Sequence, residues 1–137
     1  MKLYSKVLTL TLLASNIFIF SCYYNKAEVT PSTEECKDVI TNVSFSKDII
    51  PILTTNCAKS GCHAGSNPEG NLNLEAANAY ASLLKQGSGY VDSINPKSSV
   101  LYSSLVSITN PMPPTGPLSI CDLKRIETWM KQGAKND

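Results

Sequence analysis

The residues best able to do chemistry sit in "CAKSGCH", positions 57–63: Cys57, Cys62 and His63, the single histidine of the chain. Two thiols and an imidazole this close admit several readings. A Cys57–Cys62 disulfide is geometrically possible, but it leaves His63 without a role. A zinc site needs a fourth ligand, and the adjacent Cys62 and His63 are poorly placed to share one tetrahedral ion. A Cys/His nucleophile pair needs separated, facing side chains. The reading that uses all three residues is covalent haem attachment. A thiol pair followed at once by histidine is the C-x-x-C-H signature, here with four intervening residues, Ala58, Lys59, Ser60 and Gly61. Each thiol would add to a vinyl group as a thioether, and His63 would ligate the iron under the ring. The extra pair of residues has to bulge, and Gly61 has the backbone freedom for it.

Helices must position these groups. In "SFSKDIIPILTTNC", Ser46 is a candidate N-cap with Asp48 in the first turn, and Pro51 comes early enough to be tolerated or to kink the helix. Ile49, Ile52 and Leu53 share one face there. In "LEAANAYASLLKQG", Ala76, Ala79, Tyr80, Leu83 and Leu84 follow the amphipathic helical pattern up to Gly87. "PKSSVLYSSLV" reads as a short helix capped by Ser98, with Leu101 and Leu105 inward. "SICDLKRIETWMKQG" has Ser119 and Asp122 at capping-box spacing, an apolar stripe of Leu123, Ile126, Trp129 and Met130, and Gly133 as terminator. Turn-rich loops separate them, with no strand-period run and no internal repeat. The fold class expected is all-α.

The N-terminus speaks to compartment. "MKLYSK" is followed by an apolar run of 14 residues, 7–20, too short to span a bilayer comfortably and typical of a secretory signal. "IFSC", positions 19–22, resembles the lipobox of bacterial lipoproteins, and that resemblance implies an acylated Cys22 at the mature N-terminus. The division expected is a signal peptide over 1–21, a polar, lipid-anchored tether over 22–35, and one domain over 36–137. Twelve basic residues against eleven acidic ones, with no basic run, leave no electrostatic footprint for nucleic acid. About 100 residues is a modest length for a self-sufficient core, which a staple or a cofactor would support.

With "FSKDIIPILTTNCAKSGCH", "GNLNL", "NPKSSVLYSSL", "NPMPPTGPLS" and "IETWMKQGAKND", the chain resembles the short, class I-like c-type cytochrome domains of bacterial exported proteins and lipoproteins. The resemblance covers residues 43–135. It implies a small helical fold wrapped around one covalent haem c, with the first and last helices packed together. It also implies single-electron transfer to redox partner proteins that the sequence does not identify.

The sixth iron ligand follows from the residues left. Bis-histidine ligation is excluded, because His63 stands alone. Met112 and Met130 are the methionines beyond the signal peptide. Met112 lies in "NPMPPTG", where prolines fix φ and can hold a thioether sulfur against the iron. Met130 belongs to the packing stripe of the last helix. With Cys22 acylated and Cys57 and Cys62 on haem, Cys36 and Cys121 remain. Cys121 points away from the apolar stripe at 100° per residue, so a Cys36–Cys121 disulfide is expected. The function expected is a membrane-tethered, exported monohaem electron carrier rather than an enzyme. The alternative is a haem-based sensor whose distal ligand leaves to admit a small molecule.

Overall fold

A computed structural model describes Cys36 and residues 41–137 of the chain. The expected signal peptide, the acylated Cys22 and the tether over 22–35 lie outside the described residues. Among the described residues the fold is all-α, without strands. A π-helical turn, Phe45–Ile49, leads into α1, Ile50–Asn56; α2 is Ala79–Leu83, α3 is Val100–Leu105 and α4 is Ile120–Lys131. Two 3-10 turns, Glu69–Asn71 and Pro96–Ser98, lie between.

The first helix starts two residues earlier than Ser46. Ser44 is the cap: its Oγ accepts from the Lys47 amide at 3.3 Å, and the Asp48 carboxylate accepts from the Ser44 amide at 2.8 Å. This reciprocal pair spans one residue more than the usual capping box, which suits the wider π turn. Pro51 supplies a reason for that turn. It has no N–H to donate, and its ring crowds the carbonyl four residues back.

The second amphipathic segment is shorter than its pattern. Only Ala79–Leu83 is α-helical, with Ala79 and Leu83 buried but Ala76 and Leu84 exposed. The chain before it is held by side chains instead. Asn73 Oδ1 accepts from the Glu75 amide at 2.9 Å, the local competition by which Asn delays a helix. The cap of α3 is Ser99 rather than Ser98. Ser99 Oγ accepts from the Tyr102 amide at 3.2 Å and donates to the Pro96 carbonyl at 2.6 Å, while Ser98 belongs to the preceding 3-10 turn. Leu101 and Leu105 are buried as their spacing predicts.

Ser119 caps α4, accepting from the Asp122 amide at 3.0 Å. Ile126, Trp129 and Met130 are buried, and Leu123 is half-buried. α4 packs on the π turn, on α3 and on the Pro96–Ser98 turn. The Phe45 ring lies 5.0 Å from Trp129 and meets Tyr80 edge-on at 5.2 Å. The C-terminal segment laces this contact. Trp129 Nε1 donates to the Lys135 carbonyl at 2.8 Å, and the Asp137 carboxylate accepts from the Phe45 amide at 2.8 Å. Cys36 and Cys121 are joined in a disulfide with their Cα atoms 5.4 Å apart, tying position 36 to the first turn of α4. No helix among the described residues is long and apolar enough to cross a membrane.

Candidate haem site

α1 delivers Cys57 at its C-terminal end, where the Cys57 amide donates to the Leu53 carbonyl at 2.8 Å. The next six residues coil back on that point. Lys59 N–H and His63 N–H both donate to the Cys57 carbonyl, at 2.8 and 3.3 Å, and Cys62 N–H donates to Lys59 at 2.9 Å. Gly61 turns this loop with φ 76°, a conformation that an L side chain resists. The thiols differ in setting: Cys57 is half-buried and Cys62 exposed. Burial, and secondarily the neighbouring Cys62, push the Cys57 thiol up to about 11. It therefore stays protonated at neutral pH.

His63 is oriented from the far side of its ring. Nδ1 lies 3.1 Å from the Glu69 carbonyl and 3.2 Å from the Leu72 carbonyl. Two carbonyl oxygens only accept, so Nδ1 carries a proton, and in the neutral ring the lone pair is on Nε2. This is how protein partners fix the tautomer of a metal-ligating imidazole. Both carbonyls come from the 3-10 turn and its exit, where Gly70 has φ 63°. Further on, Asn73 Nδ2 donates to the Gly65 carbonyl at 3.1 Å and to the Glu75 carboxylate at 2.9 Å, closing the loop with polar bonds.

One cavity, of about 130 Å³, gathers most of the expected site. Cys57, His63 and Met112 all line it, together with Leu72, Leu74, Tyr90, Leu101 and Leu105. Met112 is carried there by the loop after α3, and its amide donates to the Ser104 carbonyl at 3.0 Å. Cys62 is not among the lining residues. Met130 is elsewhere: it is fully buried, and its sulfur lies 3.6 Å from Ser99 Oγ.

The donor set fits a haem. A thiol, an imidazole with its Nε2 free and a thioether share an apolar cavity, and a second thiol adjoins it. The leucine and tyrosine walls were not singled out as site residues from sequence. For Leu72 and Leu74 a signal existed: in "GNLNL" leucines alternate with asparagines, and the two leucines are buried while Asn71 is exposed. Nothing around Tyr90 marks it.

No curated protein and no solved structure matches the chain. A family model described as Planctomycete cytochrome C matches residues 60–116, a stretch that takes in Cys62, His63 and Met112 but begins after Cys57. Together with the all-helical fold, that match supports a cytochrome c-like domain, and in general terms a haem-based electron carrier.

Proposed function

We propose that the protein is a monohaem c-type cytochrome that carries single electrons between redox partners outside the cytoplasm, held to a membrane by lipid on Cys22. The observation that carries this reading is His63. Its Nδ1 is committed to two backbone carbonyls, and it lines the same apolar cavity as Cys57 and Met112.

In this reading Cys57 and Cys62 would hold one haem by thioethers, and His63 Nε2 and Met112 Sδ would be the protein ligands of its iron. When bound, the haem supplies reversible one-electron chemistry at the iron. The chain's own work is to exclude water with Leu72, Leu74, Leu101 and Leu105 and to keep the imidazole in one tautomer. With both of these ligands supplied by the chain, carriage would be favoured over oxygen activation, and a thioether ligand would raise the potential.

The test is expression with an exported haem-ligation system. Haem should stay with the protein through acid-acetone extraction, and Cys57→Ser or Cys62→Ser should leave a single thioether or no stable holoprotein. Extraction of the haem from the wild type would overturn the attachment. Rapid carbon monoxide binding by the reduced wild type would favour a sensor. Anchoring has its own readout: the wild type should carry lipid mass at Cys22, and Cys22→Ser should move it from the membrane fraction to the soluble one. One acyl chain binds only marginally, so stable anchoring implies more than one.

A further inference from the structure

The apolar cavity shares its Tyr90 wall with another space. A second cleft, of about 260 Å³, adjoins it through the same two residues, Gly70 and Tyr90. Its remaining walls are of opposite character, including Lys85, Asn71, Gln86 and Ser88. Gly70 and the Tyr90 hydroxyl stand side by side at this shared wall, a Cβ on Gly70 lying 4.0 Å from the hydroxyl. Among the described residues that hydroxyl makes no hydrogen bond and Lys85 forms no ion pair. A cation and a phenol without partners therefore stand where an apolar cavity meets a polar one.

Haem has the matching division: an apolar macrocycle with two carboxylates on one edge. We infer that the polar cleft receives this carboxylate edge, with the Tyr90 hydroxyl donating to a carboxylate and Lys85 pairing with it. This rests on the haem reading of the site. The other titratable groups at the passage are Glu69, His63 and Cys57, all on the cavity side. Glu69 repels a carboxylate and Lys85 attracts one, so charge selects the cleft side.

Carbon-13 NMR tests this directly. Aminolevulinate labelled at its carboxyl carbon delivers the label to the two propionate carboxyls of haem. In the reduced, diamagnetic holoprotein these carboxyls can be titrated. Lys85→Gln should move the titration midpoint of at least one to higher pH, because loss of the cation disfavours the ionised form. Lys85→Arg should restore it, and Lys124→Gln, the same charge change on α4, should leave it in place. Tyr90→Phe should shift the resonance of a carboxyl carbon. If Tyr90→Phe fails to hold haem, Lys85→Gln carries the test alone, since Lys85 is exposed. Unmoved carboxyl signals in a haem-bearing Lys85→Gln protein would overturn the inference while leaving the electron-carrier reading intact. Wild-type protein without covalent label after acid-acetone treatment would instead remove the haem reading, and the inference with it.

Discussion

Met112, the ligand in the proposed reading, and Met130, the packing residue, differ in their surroundings. Met112 is half-buried and lines the cavity with His63. Met130 is fully buried, with its sulfur 3.6 Å from Ser99 Oγ and outside the cavity of His63. Met112→Ala should lower the reduction potential, abolish the sulfur-to-iron charge-transfer band of the oxidised form and open the iron to carbon monoxide. Met130→Leu keeps volume, so it should leave all three unchanged and cost less than about 1.5 kcal/mol in denaturant unfolding. A band that survives Met112→Ala and vanishes in Met130→Leu would reverse the assignment. The packing role of Met130 was legible because a stripe at helical spacing identifies its own buried face. The orientation of His63 was not. It depends on carbonyls at Glu69 and Leu72, and backbone acceptors leave no trace in side-chain chemistry.

At the scale of elements, the helices were legible, and so was the start of α4 at Ser119, but the other starts were not. Serine pairs stand near two of the starts, at Ser44 and Ser46 and at Ser98 and Ser99, and which one caps is decided by its neighbours. Ser44 has Asp48 to take its amide, and Ser99 has Pro96 to take its hydroxyl. Ser99→Ala should therefore cost about 1 to 2 kcal/mol, at the upper part of the range for a lost N-cap, because the Tyr102 amide loses its acceptor. Ser98→Ala, at an exposed position, should cost less in the same unfolding measurement. Asp92 supports the approach to this cap. Its carboxylate accepts from the amides of Asn95 and Ile94 at 2.8 and 2.9 Å, which hold its pKa below the ordinary 3.8. A lowered folded pKa gives stability that is present above the unfolded value and lost as pH falls through the folded one. The stability difference between the wild type and Asp92→Asn should thus be present at neutral pH and shrink below about pH 4, the ordinary carboxylate range. An unchanged difference at pH 2 would show that the charge plays no part.

At the scale of the whole molecule, residues 41–45 are tied to the last residues of the chain. Gln132 at the end of α4 reaches across to the Val43 amide at 3.1 Å and the Thr41 carbonyl at 2.7 Å, and Asp137 holds Phe45. The disulfide repeats the tie at the other end of α4, joining Cys121 to Cys36 across a sequence separation of 85. This pairing was legible because the other cysteines had been given work elsewhere. A bridge over a loop of that length removes entropy from the unfolded chain, and the chain-entropy treatment gives about 4 to 5 kcal/mol. That figure is an upper bound for the holoprotein. Thioethers at Cys57 and Cys62 would already constrain the middle of the same loop. Neither Cys36 nor Cys121 lines the cavity of His63 and Met112. Replacing both by serine should therefore lower the denaturant midpoint while the reduction potential and the charge-transfer band stay as in the wild type. A shifted potential would mean that the bridge reaches the haem site as well as the unfolded chain. An unchanged midpoint would mean that the contacts of Gln132 and Asp137 with residues 41–45 already hold these segments together without it.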